Sequence, residues 1–379
     1  MAPAQQRSLT PLVILGLVAA LVAMGWLYVL ERARHDRPAG EAATAGEGRV
    51  YQWRLVTTWP RHFPGLGMVP ERFAENVEQL SGGRLRIKVY GAGELVPAMG
   101  VFDAVSLGTV EMGHSTPYYW QGKVPAAPFF STAPFGLTAQ EMNSWLYHGG
   151  GMELWREAYE PFGLVPFAGG NTGVQMAGWF NREIRSLADL RGLKMRIPGI
   201  GGQVWSRAGG TAVNLPGGEL FTSLQTGVID ATEWVAPYND LALGLQEVAR
   251  YYYYPGWQEP GPALEFIVNK RVYDGLPDDL KAIIETAARQ ANADMMDEYV
   301  ARNGRALSAL LEHYPRVELR RLPDDVLAAL RKASEEVLDE LAESDPMAGR
   351  VHRSWTDFYQ SIREYQRISE HAYMNTREP

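Results

Sequence analysis

Cysteine is absent from this chain of 379 residues. Its absence excludes disulfide bonds, thiolate catalysis, cysteine-rich zinc sites and cysteine-linked lipid anchors. An excess of positive charge is missing too, because 36 Lys and Arg stand against 44 Asp and Glu, for a formal net charge of −8. Since capture of a phosphate backbone needs a basic surface, no nucleic-acid partner is expected.

Motifs of several large enzyme classes are also missing. The seven histidines show no His-Glu-x-x-His spacing, so a zinc hydrolase is not expected. Gly-x-Ser-x-Gly, a phosphate-binding Gly-x4-Gly-Lys-Ser/Thr loop and a full Gly-x-Gly-x-x-Gly fingerprint after a strand do not occur. The chain therefore lacks the usual sequence signs of an esterase, a P-loop protein and a dinucleotide-binding enzyme.

A long apolar run stands near the N-terminus, at residues 12–30. About 19 residues suffice to cross a bilayer core as a helix. An uncleaved anchor is favoured over a cleaved signal peptide, because the best cleavage site, at 43–45, lies well beyond the run. We assign residues 1–37 to the signal or anchor and 38–50 to a flexible linker. The protein is thus expected in the periplasm, free or tethered to the inner membrane.

The rest of the chain alternates strand-like and helix-like patterns. This alternation predicts an α/β protein with a mostly parallel sheet, and the length favours two lobes. We place the first lobe at 51–172, the second at 173–262, a return to the first at 263–300, and C-terminal helices at 301–379. A helix running from 278 towards 311, roughly 50 Å long, would brace the two lobes.

The stretch from Leu224 to Asp240 points most directly to a site. Gly227 is expected to end a helix, and the β-branched pair after it predicts a short strand that ends near Glu233 and Trp234. Ligands bind at such carboxyl ends in α/β sheets. Two upstream side chains, Gln175 and Arg196, would add an amide oxygen for a cation and a guanidinium for a carboxylate. Any one of these residues alone would more often be structural.

Further candidates stand at other predicted strand ends. Tyr118 and Tyr119 follow the strand predicted at 110–114 and are expected to line a ligand cleft. Asn171 opens the segment that carries Gln175. We include Tyr119 and Asn171 among the predicted substrate-binding residues.

Four segments carry the most specific pattern in the chain. They are Trp-Arg-Leu-Val-Thr-Thr-Trp-Pro at 53–60, Phe-Asp-Ala-Val-Ser-Leu-Gly-Thr-Val-Glu-Met-Gly-His at 102–114, Leu-Lys-Met-Arg-Ile-Pro-Gly at 193–199 and Gly-Val-Ile-Asp-Ala-Thr-Glu-Trp at 227–234. Together they resemble the solute-binding subunit of tripartite ATP-independent periplasmic (TRAP) transporters, in the branch that binds 2-oxoacids and 2-hydroxyacids. The resemblance extends from about residue 51 to the C-terminus and implies a two-lobed periplasmic binding protein.

The resemblance also implies roles for individual residues. In that family the Arg of the Lys-x-Arg-x-Pro motif holds the ligand carboxylate, which here is Arg196. A bridging cation, Na⁺ or Ca²⁺, would be bound by the Gln175 side chain, the Glu233 carboxylate and the Trp234 main-chain carbonyl. The implied function is capture of a small monocarboxylate and its delivery to the membrane subunits of a transporter, without catalysis.

Several alternatives stay open. The same cleft could serve a periplasmic ligand sensor or, with Glu233 and a metal, an enzyme, although no convincing nucleophile or acid–base partner is present. The acid could be pyruvate, lactate, or a branched or longer 2-oxoacid. A helix predicted at 354–373 carries an apolar stripe that favours a homodimer, and packing within one chain explains the stripe almost as well.

Overall fold

Two β-sheets form the framework of the protein in a computed structural model that describes residues 49–377. The predicted signal or anchor at 1–37 lies outside the described residues, as does nearly all of the linker at 38–50. Between residues 49 and 377, no helix has both the length and the apolar character needed to cross a membrane.

Eleven strands and thirteen α-helices are described between residues 49 and 377. The strands are β1 (Tyr51–Thr57), β2 (Leu85–Tyr90), β3 (Met112–Ser115), β4 (Leu164–Asn171), β5 (Gly178–Phe180), β6 (Lys194–Arg196), β7 (Thr211–Val213), β8 (Ala231–Thr232), β9 (Tyr251–Tyr254), β10 (Ala263–Asn269) and β11 (Glu318–Arg321). The helices are α1 (Met68–Leu80), α2 (Val101–Ser106), α3 (Ala139–His148), α4 (Gly151–Tyr159), α5 (Gly199–Arg207), α6 (Leu220–Gln225), α7 (Pro237–Ala242), α8 (Leu245–Val248), α9 (Lys270–Asp274), α10 (Asp278–His313), α11 (Asp324–Ser344), α12 (Pro346–Ile368) and α13 (Glu370–Arg377).

The first sheet has the strand order β2-β1-β3-β10-β4. Its opening β1-α1-β2 unit is parallel, as the crossover pattern predicts, and β3 is parallel to β1. Strand β10 runs antiparallel to both β3 and β4. Strands β1, β2, β3 and β4 therefore run in the same direction and β10 alone runs against them, so the sheet is mostly parallel, as expected, with one antiparallel strand.

The second sheet has the order β11-β9-β5-β8-β6-β7. Strand β8 lies between β5 and β6, antiparallel to the first and parallel to the second. Strand β8 contains only Ala231 and Thr232, so Val228 and Ile229, which were expected to form the strand, precede it. Val228 is exposed there, while Ile229 is buried in the core. Helix α6 ends before Gly227, whose positive φ of 74° matches its predicted role in ending the helix.

The chain changes sheets in two loops that later form the site. Residues 172–177 connect β4 to β5, and residues 255–262 connect β9 to β10. Strand β11 then pairs with β9 in the second sheet. The predicted lobe boundaries at 172 and 262 fall inside these connections, and they stay a prediction.

Helix α10 spans 36 residues, close to the predicted range and about 54 Å long at 1.5 Å per residue. It packs on β4 and α1 beside the first sheet and on α7, which follows β8. The Tyr299 hydroxyl on α10 bonds the Asn239 side chain, and Asn239 Nδ2 donates to the Pro64 carbonyl at 2.8 Å. The helix therefore contacts elements of both sheets, as the bracing role predicts.

The predicted C-terminal helix at 354–373 is interrupted. Helix α12 ends at Ile368, and α13 follows after Ser369. The apolar stripe divides along its length, because Trp355 is buried against the core whereas Tyr365 and Ile368 are 61% and 77% exposed. Only the end of the stripe remains on the surface of the chain.

Candidate functional site

Strand pairing brings Arg196 and Glu233 together. The register of β6 and β8 sets Arg196 opposite Thr232, and the Glu233 main-chain N–H donates to the Arg196 carbonyl at 3.2 Å. The Glu233 carboxylate then accepts a hydrogen bond from Arg196 Nη1, and each side chain is 1% exposed. The predicted pair of residues is thus one fully buried ion pair at the carboxyl ends of neighbouring strands.

Three further contacts orient the guanidinium of Arg196. Nε donates to the Leu215 carbonyl at 3.0 Å, and Nη2 donates to the Tyr119 hydroxyl at 3.2 Å. The guanidinium carbon lies 5.3 Å from the centroid of the Trp234 ring, within the range of a cation–π contact. Because these contacts fix its plane, the guanidinium is pre-organised to bind a planar carboxylate through two nitrogens.

The two loops between the sheets place Gln175 beside Glu259. The Gln175 main-chain N–H donates to the Glu259 carbonyl at 3.1 Å, and Gln175 Nε2 donates to Thr172 Oγ1 at 3.1 Å. A Cβ at Gly256 would lie 2.0 Å from the Gln175 carbonyl oxygen. The close approach of the two loops therefore requires glycine at position 256.

Aromatic side chains from the first sheet face the charged groups. Trp59 follows β1, and its ring lies 6.2 Å from those of Tyr119 and Trp234. Trp59 Nε1 donates to His114 Nδ1 at 2.9 Å, so His114 Nε2 carries the proton and donates to the Gly169 carbonyl at 3.0 Å. Burial lowers the pKa of His114 to about 4, which keeps this link between β1, β3 and β4 neutral.

These groups enclose a small cavity between the two sheets. The centre of a water-sized sphere can occupy about 20 Å³ of it, room for roughly one or two water molecules. Its walls are Trp59, Leu66, Tyr118, Tyr119, Thr172, Gln175, Arg196, Trp234, Val235, Glu259, Pro262 and Leu264. A cavity of this size favours a small ligand over a large one.

Three oxygen atoms around the cavity have no hydrogen-bond partner among the described residues. They are Gln175 Oε1, Glu233 Oε2 and Glu259 Oε2. Buried polar atoms are almost always paired, so an unpaired set in one place indicates a ligand. Carboxylate and amide oxygens suit a hard cation such as Ca²⁺ or Na⁺. The residues present therefore fit the bridging cation implied by the sequence.

The electrostatics of the site are dominated by burial. Burial raises the pKa of Glu233, and Arg196 opposes that rise. Burial and the charge of Glu233 raise the pKa of Glu259 well above its usual range. Burial would lower the pKa of Arg196, but Glu233 and its neighbours raise it. One guanidinium thus faces two carboxyl groups in a medium of low dielectric, so negative charge is in excess when both are ionised.

Most of the predicted site residues come together here. Arg196, Gln175, Trp234 and Tyr119 line the cavity, and Glu233 contacts Arg196. Asn171 does not line it: Nδ2 donates to the Gly261 carbonyl at 3.0 Å, and Oδ1 accepts the Gly173 N–H at 2.9 Å. Its side chain holds the two connecting loops together, and a ligand-binding role for it stays a prediction.

Sequence reasoning missed Glu259. It lies in the connection from β9 to β10, which was predicted only as a crossing between lobes. The available signal was its position two residues after Trp257 in a Pro/Gly-rich crossing loop. Such loops approach ligand clefts, but nothing in the local spacing shows that this carboxylate is 3% exposed beside Arg196.

A buried guanidinium and unpaired oxygen atoms between two α/β sheets define a two-lobed solute-binding protein. The chain belongs to the bacterial extracellular solute-binding proteins of family 7, whose model matches residues 55–345. This membership confirms the resemblance to TRAP transporter subunits, and relatives of the chain are solute-binding proteins.

Three relatives are especially informative. The chain is 44% identical over 324 residues to the monocarboxylate 2-oxoacid-binding periplasmic protein of Nostoc sp., covering 86% of this chain and 88% of the relative. It superposes with a TM-score of 0.84 and 43% identity on the TRAP periplasmic solute-binding protein of Pseudoalteromonas atlantica with bound sodium and pyruvate, covering 86% and 99%. The corresponding protein of Colwellia psychrerythraea, with bound calcium and pyruvate, gives the same TM-score and identity, covering 86% and 100%.

Proposed function

We propose that this protein captures a small 2-oxo or 2-hydroxy monocarboxylate together with Na⁺ or Ca²⁺ and delivers it to the membrane subunits of a TRAP transporter. One observation carries the proposal: the buried guanidinium of Arg196 lies in the same cleft as the unpaired oxygens of Gln175 and Glu233. The ligands of the three relatives support the choice of a 2-oxoacid and of either cation.

Arg196 is the proposed anchor for the carboxylate of the acid. Its Nη1 now bonds Glu233, and its Nη2 bonds Tyr119. Binding would exchange the Glu233 contact for a two-nitrogen contact with the ligand, while Leu215 keeps Nε in place. This exchange conserves the buried charge pair, so the guanidinium never loses its anionic partner.

Gln175 and Glu233 are the proposed side-chain ligands of the cation, with the Trp234 main-chain carbonyl as a third. When bound, the cation supplies positive charge between the Glu233 carboxylate and the carboxylate of the acid. Without it, two anions would be close together in a cleft of low dielectric. Gln175 and Glu233 would thereby couple binding of the acid to binding of the ion.

Closure of the cleft is the proposed link to transport. The two sheets contribute opposite walls, and the small cavity between them is enclosed by residues of both. The ligand can favour the closed form only as far as it binds that form better. An acid held by Arg196 from the second sheet and enclosed by Trp59 and Tyr119 from the first would provide that preference.

The site is proposed to bind its ligand without converting it. The described walls of the cavity contain no Ser, Lys or His, and nothing there pairs a nucleophile with a base. A location outside the cytoplasmic membrane, through the apolar run at 12–30, is part of the same proposal. Incubation of the protein with pyruvate, followed by NMR, tests the absence of conversion.

Calorimetry tests the binding function directly. The full chain, purified in mild detergent and stripped with a chelator, is titrated with pyruvate in Na⁺, in Ca²⁺, and in a buffer without either. We expect binding that requires a cation and no binding of pyruvamide, which lacks the carboxylate. Binding of pyruvamide with equal affinity, or no binding of any 2-oxoacid with either cation, would refute the proposal.

A homodimer is proposed for the assembled protein. The exposed end of the apolar stripe, formed by Tyr365 and Ile368, supports it. The substitution Ile368→Glu should lower the measured mass in light scattering from dimer to monomer without weakening pyruvate binding. A wild-type protein that stays monomeric at high concentration contradicts this part of the proposal.

A further inference from the structure

Glu259 is a buried carboxylate that the proposed binding function does not yet use. It lines the cavity and is 3% exposed, and its Oε2 has no hydrogen-bond partner in the part of the chain that the structure describes. Its carbonyl accepts the Gln175 N–H at 3.1 Å. The residue is therefore tied through the backbone to a proposed cation ligand, with a free oxygen in the same cleft.

The charges of the site do not balance for a monovalent ion. Arg196 contributes one positive charge, and Glu233 and Glu259 contribute two negative charges when both bind a cation in their ionised form. Asp240 interacts with Glu233 from outside the cavity, where it accepts hydrogen bonds from Trp179 and Tyr252, and it is left out of this sum. A bound monocarboxylate makes the sum −2, which a divalent cation neutralises and a monovalent cation leaves at −1. Uncompensated charge in a buried site is costly, so a second carboxylate favours a divalent ion.

We propose that Glu259 is the residue that determines cation specificity, and that it makes this site prefer Ca²⁺ to Na⁺. This inference rests on the proposed binding function. The two pyruvate-binding relatives are equally similar to this chain, yet one holds sodium and the other calcium. Overall fold and identity therefore do not decide the ion, whereas one carboxylate beside the ligand oxygens can.

If Glu259 had only a structural role, both of its carboxylate oxygens would be expected to accept hydrogen bonds from the protein. Glu265 shows that pattern, since its two oxygens accept hydrogen bonds from Trp120 Nε1 and the Tyr159 hydroxyl. The Glu259 carboxyl interacts with the Tyr118 and Gln175 side chains, but its Oε2 keeps no hydrogen-bond partner among the described residues. Glu265 is thus a matched control: a buried glutamate of the same chain that does not line the cavity.

The substitution Glu259→Gln tests the inference because it removes one charge at nearly constant volume. Dissociation constants for Ca²⁺ and Na⁺ are measured by calorimetry on the stripped full chain, first with the ions alone and then with saturating pyruvate. Coulomb energy scales with ionic charge, so the loss of binding free energy should be about twice as large for Ca²⁺ as for Na⁺. We expect the preference for Ca²⁺ to fall by at least about tenfold.

The controls separate charge from folding. Glu265→Gln should leave the Ca²⁺/Na⁺ preference within about twofold of wild type, a free-energy change too small to count as selectivity. Glu259→Asp keeps the charge and should keep the preference for Ca²⁺, with weaker binding of both ions. If thermal unfolding shows that Glu259→Gln does not fold, the Asp variant decides, and loss of its Ca²⁺ preference overturns the inference.

Three results overturn the inference while leaving the binding function intact. They are a wild-type preference for Na⁺, an unchanged ion preference in Glu259→Gln (with or without weaker binding of both ions), and an increased preference for Ca²⁺ in that variant. Failure of the wild type to bind any 2-oxoacid with either ion overturns the binding function itself, and the inference with it.

Discussion

Buried carboxylates in two regions of this protein differ in how completely their oxygens are hydrogen-bonded. Around Arg196, Glu233 and Glu259 each keep an oxygen with no partner among residues 49–377. In the first sheet, Glu265 is just as buried, but both of its oxygens accept hydrogen bonds. Burial raises the pKa in all three cases. Burial and pKa therefore do not distinguish the two regions, whereas the gathering of several unpaired oxygens around one cavity does.

The difference follows from what each region has to do. The Glu265 cluster is complete within the chain, since Trp120 and Tyr159 supply one donor for each oxygen. The Arg196 cleft is complete only with a ligand, because its oxygens outnumber the donors that face them. Substitutions in the two regions should therefore affect different measurements, namely ligand binding in the cleft and stability in the cluster.

The largest expected effect comes from Arg196→Lys. Lys keeps the charge but cannot make the planar two-nitrogen contact, and it also loses the bonds to Leu215 and Tyr119. Pyruvate binding should weaken by about 100-fold or more, roughly 2.7 kcal/mol, as measured by calorimetry. Arg207→Lys, at an exposed salt bridge with Glu340, is the control and should bind normally. Affinity within about twofold of wild type would exclude the carboxylate anchor.

Glu233→Gln and Gln175→Ala should have the next largest effects. Each removes charge or an oxygen from the proposed cation site, so apparent pyruvate affinity should fall about tenfold at low cation concentration. The defect should shrink as the cation is raised, whereas that of Arg196→Lys should persist. Glu265→Gln serves as the control in the same titrations. Defects that stay constant across cation concentrations would show that Glu233 and Gln175 act without a metal.

Tyr119→Phe tests the contact between the first sheet and the guanidinium. The variant removes the hydroxyl that accepts from Arg196 Nη2 at 3.2 Å. Loss of one hydrogen bond to a charged group should weaken pyruvate binding by about tenfold at most. Tyr159→Phe removes a donor to Glu265 instead and should lower the melting temperature with binding unchanged. If Tyr119→Phe and Tyr159→Phe change pyruvate affinity and melting temperature in the same way, the cleft and the Glu265 cluster do not have separate roles in binding and stability.

The smallest expected effect on ligand binding comes from Glu265→Gln, which should instead change the pH dependence of stability. Burial raises the pKa of Glu265 to about 8 from 4.5, so the folded state binds more protons between those values. Its contribution to the free energy of unfolding is full below pH 4.5 and is lost as the pH rises through about 8. Glu265→Gln cannot titrate, so it should lose less stability than wild type between pH 5 and 8, with a difference of up to about 3 kcal/mol. Denaturant unfolding at both pH values measures it, and parallel profiles would contradict the assignment.

Much of the local structure can be predicted from the sequence. Nearly all of α10 follows from helical spacing and the proline that precedes it. Gly227 ends a helix because a positive φ suits glycine. Where local preference is weak, prediction fails: the strand near Val228 is displaced to Ala231–Thr232, since pairing with two neighbouring strands decides which residues extend.

The sequence by itself determined the residue types of the site and most of the elements that carry them. The motif around Arg196 and the one that ends in Glu233 and Trp234 each lie within a short segment, where spacing is visible. Only the tertiary structure decided that Glu259 joins them and that Asn171 instead holds the connecting loops. Those placements depend on two loops more than 80 residues apart that meet across a glycine, and local spacing carries no information about such contacts.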